Sequence, residues 1–200
     1  MKGSLIIIVF FILGTFLAMK GLTPDFILDH NISLYALCAL MFFIGITISS
    51  DPKILRSLRS LNPRLLLLPL MTIMGTLVGT AVVGLLVSDH SVSECMAVGS
   101  GFGYYSLSSV LIGEKKGADL ATIALLSNII REIVALVGAP LFYKYFGTFA
   151  PISVGGATTL DTTLPSITNT IGKEYTVLCI FHGLFLDMSI VFLVTFLCSI

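Results

Sequence analysis

Charge is what this sequence has least of. Only 11% of its 200 residues are Asp, Glu, Lys or Arg, against roughly a quarter in a soluble domain. Beside an apolar content of 56%, that scarcity excludes an ordinary soluble domain. It points to a polytopic membrane protein forming a single membrane domain, 1–200. Basic residues never gather into a run and the net charge is zero, so nothing suggests a nucleic-acid partner. Cys38, Cys95, Cys179 and Cys198 share no CxxC or CxxH spacing. They read as packing residues rather than as a metal site or disulfides. No small-residue cleavage site follows the first apolar run, which ends at Lys20-Gly21-Leu22, so no cleavable signal is expected.

What is there is a series of apolar stretches near the roughly 20 residues a helix needs to cross a bilayer. The expected fold is all-α with about seven transmembrane segments, near 4–19, 32–50, 65–87, 91–112, 118–142, 150–171 and 175–199. Lys53, Arg56, Arg59 and Arg64, then Lys115 and Lys116, then Lys173, fall with Lys2 on one side if all seven cross. Lys20 and Lys144 fall on the other, with Asp25, Asp29, Asp89 and Glu94. The bias places the N-terminus in the cytoplasm and the C-terminus outside.

Two of the seven are polar and glycine-rich at their centres, and both are expected to be interrupted. In 91–112, Gly99, Gly101 and Gly103 alternate with Ser100 and Phe102, before Tyr104, Tyr105 and Ser106. Each glycine weakens a helix by roughly 1 kcal/mol relative to Ala. A break near 99–103 would free backbone groups, and a half-helix starting near Tyr104 would aim its positive end there. In 150–171, Gly155 and Gly156 precede Thr158, Thr159, Asp161, Thr162, Thr163, Pro165 and Ser166. Unpaired backbone survives at membrane depth only where protein or a water-filled cavity satisfies it. An Asp there costs roughly 2.5–3.5 kcal/mol on insertion scales. Such a segment reads as part of a solute or ion site.

The segment 118–142 holds Asn128, Arg131 and Glu132, with Pro140 near its end. Asn128 and Glu132, four apart, share a helix face. Arg131 points about 100° away from Glu132 and is free to pair with Asp161. Two carboxylates against one Arg leave a surplus charge, so Glu132 is a candidate proton carrier. His182 is either a proton relay or a hydrogen-bonding partner to a neighbouring break. Asp187 is a weaker candidate for the same site.

Four blocks in this order, SGFGYYSLSS (100–109), NxxRE (128–132), GGATTLDTTLPSIT (155–168) and FHG (181–183), resemble the LysO-type lysine exporter family. A similar FFIGI pattern stands at 42–46. The resemblance implies an inner-membrane exporter of L-lysine and toxic lysine analogues, driven by proton antiport, with sodium left open as coupling ion and no cofactor. It implies kinship with antiporters and symporters built on inverted repeats with crossed, broken helices. It places the central carboxylates at Glu132 and Asp161. Substrate-binding candidates are Ser100, Gly101, Phe102, Gly103, Tyr104, Tyr105, Ser106, Asn128, Arg131, Thr158, Thr159, Thr162 and His182. Family members commonly carry a further N-terminal third, and this chain starts at what would be the middle. That implies a split form completed by a homodimer or by a small companion membrane protein. The alternatives are a subunit inactive without its partner, a transporter of another cation or basic amino acid, and, remotely, an intramembrane serine hydrolase using Ser100 and His182.

Overall fold

The computed structural model describes residues 67–200 apart from Ser88, together with Leu65 and the isolated positions 16, 17, 19, 20, 35, 39, 42 and 46. The chain divides into two units, 1–43 and 44–200. In the first, the Lys20 ammonium lies 5.8 Å from the centre of the Phe16 ring. The spans expected at 4–19 and 32–50, apart from those isolated positions, and the basic loop from Lys53 to Arg64 lie outside the described residues, as does Cys38.

The described stretch is helical. Helix α1, Leu67–Leu86, has Pro69 in its first turn, where the missing N–H is no loss. Helix α2, Val92–Gly99, opens on a capping box: Ser91 Oγ accepts the Glu94 N–H, and Glu94 Oε2 accepts the Ser91 N–H. That pair satisfies two otherwise orphaned donors. Helix α3, Tyr105–Lys116, ends in Lys115 and Lys116, which suit the negative end of its dipole. Lys116 reaches back to Glu94 at 3.8 Å, and His90 lies 3.6 Å from the same carboxylate. These contacts tie the end of α3 to the start of α2.

Helix α4, Ala118–Phe146, is the longest at 29 residues. Pro140 inside it cannot donate to the carbonyl four residues back, which belongs to Leu136. The Ser166 hydroxyl donates to that carbonyl instead, at 2.9 Å. Ser166 sits on α6, Leu164–Ile171, which follows the short α5, Phe149–Gly155, and a 3₁₀ turn, Gly156–Leu160. The last helix, α7, is Thr176–Ser199.

Among the described residues, three helices are long and apolar enough to cross a membrane: Leu67–Leu86, Ala118–Phe146 and Lys173–Ser199 with its leading 3₁₀ turn. The segments 91–112 and 150–171 are each helical in two shorter pieces. Large apolar side chains such as Val78, Ile130, Val137, Met188 and Phe192 are exposed on α1, α4 and α7, as suits faces turned to lipid. The core lies inside α7, with Leu178, Cys179, Leu186, Ile190 and Val194 all buried. Ala139, Ile152, Ile167 and Ile171 pack with Leu178 and Cys179 in one cluster.

Candidate functional site

Two non-α-helical links meet at the centre of this bundle. The first runs through 100–104, between α2 and α3; the second through 156–163, between α5 and α6. They touch backbone to backbone: the Ala157 N–H donates to the Phe102 carbonyl at 2.9 Å. Phe102 is fully buried and adopts a positive φ of 46°, a left-handed conformation disfavoured for a residue with a side chain. Gly156, at φ 64°, lies so close to the Phe102 carbonyl that a side chain there would overlap it. Beneath the second link lies α7, and a Cβ on Gly183 would sit 2.5 Å from the Leu160 nitrogen and 2.8 Å from the Ala157 carbonyl oxygen. The glycine of the FHG block thus lets the link rest directly on the helix.

Polar side chains from other helices hold the links. Asn128, buried on α4, accepts the Gly103 N–H at 2.8 Å and donates to the Val98 carbonyl at 3.1 Å and the Ala124 carbonyl at 2.9 Å. Arg131, one turn on, donates from Nε to the Val154 carbonyl and from its Nη2 to the Ser153 carbonyl, each at 3.1 Å. These belong to the last turn of α5, whose carbonyls lack helical partners. Its guanidinium also lies 5.8 Å from the Phe102 ring centre. Among the described residues Arg131 makes no ion pair with Asp161 or Glu132. The expected Arg131–Asp161 pair is therefore corrected: the fork is occupied by backbone carbonyls that free helix ends supply.

Thr158 and Thr159 are buried and bonded within their own link. His182 is fully buried between Thr72 Oγ1, 3.0 Å from Nε2, and Thr159 Oγ1, 3.3 Å from Nδ1. Of the two roles open to it, the structure places it as a bridge from α1 to the second link. The Ser100 hydroxyl donates to the Met96 carbonyl at 2.7 Å, so Ser100 and His182 form no dyad and the hydrolase alternative lacks its geometry.

The remaining candidates are half-buried or exposed. Glu132 is half-buried, and among the described residues it has no hydrogen-bond or ion-pair partner. Asp161 is exposed, and its Oδ1 accepts the Thr162 N–H. Thr162 and Tyr105 are exposed, while Tyr104 and Ser106 are half-buried. On the other side of Arg131, Thr72, Gly75, Thr76, Gly79 and Thr80 of α1 line an open groove of about 480 Å³ with Ser153 and Val154. The Arg131 Nη1 faces Thr76 there at 3.5 Å.

The sequence profile of the family described as Lysine exporter LysO matches residues 8–198. The chain belongs to that family. Lysine exporter LysO of Escherichia coli is 28% identical over 187 residues, covering 92% of this chain and 60% of the relative. A Haemophilus influenzae protein described as "Putative lysine exporter" is 33% identical over 167 residues, 84% of each chain. This chain thus spans less than two thirds of the Escherichia coli relative. No solved structure matches it significantly.

In this member of the lysine exporter family, the structure encloses Asp187, the weaker of the carboxylate candidates in the sequence. Asp187 is only 4% exposed, and among the described residues its Oδ1 has no hydrogen-bond partner. Its one available signal was an Asp in the middle of the most apolar helix, four residues after the glycine on which the second link rests.

Proposed function

We propose that this chain exports L-lysine, and toxic lysine analogues, across the bacterial inner membrane in exchange for protons. The N-terminus lies in the cytoplasm and the C-terminus outside. The segments 91–112 and 150–171 act as interrupted spans whose links form the transport site, and the whole belongs to an inverted-repeat antiporter architecture. Glu132 and Asp161 bind the cationic groups of lysine and protons in turn, so the same carboxylates couple the two fluxes. The lysine carboxylate docks on the free N–H edge of Arg131 or at the N-terminus of α3. The completed transporter includes a partner, either a second copy or a small companion membrane protein.

The observation that carries this reading is the contact between the two links inside a chain of the lysine exporter family, with Glu132 and Asp161 free of ion pairs among the described residues. Crossed, non-helical links are where secondary transporters build solute sites. Carboxylates without a resident cation suit a substrate carrying two ammonium groups.

The test is uptake of labelled lysine into proteoliposomes with an acidic lumen, with and without a protonophore. Uptake that follows the pH gradient and collapses with the protonophore is the expected result. Uptake that ignores the proton gradient and follows sodium would refute proton coupling. Transport that appears only with a second membrane protein would assign this chain as a subunit. Transport of another basic solute in place of lysine would refute the substrate.

A further inference from the structure

Asp187 has no part in the mechanism above, yet it is the most enclosed carboxylate among the described residues. It is 4% exposed, between the buried Leu186 and Ile190, and its Oδ1 reaches no donor among the described residues. It lies one helical turn from Gly183, so it shares the face of α7 that carries the second link. Asp161, at the end of that link, and Tyr104, at the start of α3, both lie within electrostatic reach of it. Three elements thus bring an enclosed acid, an exposed acid and a phenol to one place. Among the described residues, α1 and α6 carry no Asp, Glu, Lys, Arg or His, on α2 Glu94 is engaged with His90 and Lys116, α3 carries Glu114, Lys115 and Lys116 in its last turn, and α4 carries Arg131 and Glu132. On α7 itself His182 is held on the other side by Thr72 and Thr159.

An unsatisfied carboxylate oxygen in such surroundings is costly unless it holds a metal cation or a proton. A hard metal ion requires several oxygen ligands. Among the described residues no three His, Cys, Asp or Glu side chains converge to hold one. A proton requires only the carboxyl itself.

We propose that Asp187 is the inner proton carrier of this transporter, exchanging its proton with Asp161 at the exposed end of the second link. In that step the Asp187 O–H bond breaks and an O–H bond forms on the Asp161 carboxylate, leaving Asp187 as the anion; the return step reverses it. Tyr104, within electrostatic reach of both acids, is the hydroxyl proposed to relay the proton between them. The proposal rests on the reading of the chain as a proton-coupled exporter and adds a residue that reading does not use.

Two measurements on the full chain in proteoliposomes test it. In the first, Asp187→Asn is compared with wild type for lysine counterflow at equal pH and for accumulation driven by a pH gradient. Retained counterflow with loss of gradient-driven accumulation is expected, and Asp187→Glu restores the accumulation. Gradient-driven accumulation at the wild-type level in Asp187→Asn overturns the proposal. In the second, infrared spectroscopy follows the carbonyl stretch of protonated carboxyl groups as pH is varied. A band that Asp187→Asn removes and Asp187→Glu shifts is expected, and a spectrum unaltered by either substitution overturns the proposal. Should Asp187→Asn not fold, the shift in Asp187→Glu decides alone. Wild-type protein that moves no lysine on a pH gradient, alone or with a second membrane protein, would instead overturn the exporter reading, and the infrared band would still decide the protonation of Asp187.

Discussion

Asn128→Ala removes the clamp on the first link, and its effect can be worked out bond by bond. The Val98 carbonyl keeps a second donor, the Gly101 N–H at 3.3 Å. The Ala124 carbonyl keeps its place in the α4 ladder, and Ser108 still donates to the Tyr104 carbonyl at 3.0 Å. The Gly103 N–H, buried and bonded to Asn128 Oδ1 at 2.8 Å, is left with no acceptor. An orphaned buried donor costs about 1–3 kcal/mol, and a polar contact between membrane helices averages about 0.6 kcal/mol. The sum centres on about 2.6 kcal/mol, a change of roughly 80-fold in the local opening equilibrium. Hydrogen exchange followed by mass spectrometry on a peptide covering 99–106 reads this directly. The exchange there should speed up by that factor, with a smaller rise in 156–160 because Phe102 and Ala157 share a hydrogen bond. The outer half of α7 should not respond. Unaltered exchange at 99–106 in a folded variant would refute the view that Asn128 holds the link.

Gly183→Ala places a methyl group 2.5 Å from the Leu160 nitrogen, and overpacking of that kind costs about 1–3 kcal/mol. Its thermal unfolding midpoint should fall, whereas Val137→Ala, at a position 77% exposed on α4, should leave the midpoint unaltered. Arg131→Ala strands the Ser153 and Val154 carbonyls. Arg131→Lys should lose less stability but not recover the wild-type midpoint in detergent denaturation, because an ammonium does not reproduce the two-pronged fork. Ser166→Ala leaves the Leu136 carbonyl bare opposite Pro140 at a cost of about 0.6 kcal/mol, and Pro140→Ala supplies the missing N–H. A double-mutant cycle should therefore show coupling between these positions, and strict additivity would contradict the pairing. Glu132→Gln and Asp161→Asn should each abolish gradient-driven lysine transport at normal membrane abundance; retained transport in either would remove that carboxylate from the coupling scheme.

Apolar stretches near 20 residues pointed to helices of membrane length, and among the described residues three helices are long and apolar enough to cross. Two helix ends follow glycines visible in the sequence: α2 ends at Gly99 and the 3₁₀ turn begins at Gly156, where glycines weaken a helix whatever surrounds it. Intramembrane Asn128, Arg131, His182 and the carboxylates stood out because polar groups are costly in such segments. Their partners did not. Arg131 was paired on paper with Asp161, since a charge in a sequence advertises another charge, whereas the Ser153 and Val154 carbonyls that hold it belong to the backbone and carry no residue signature. The Leu136 carbonyl is likewise invisible until Ser166 is seen beside it, although Pro140 announced that it would be free. Asp187 was ranked low because helical spacing compares a residue only with its own helix. Its 4% exposure is a property of the packed structure and has no signature within its own helix. Local preferences of the chain determine where helices form and stop, and which residues are expensive to enclose. Which groups meet, and hence which acids are left without a partner, depends on long-range packing, and only the tertiary structure decided it.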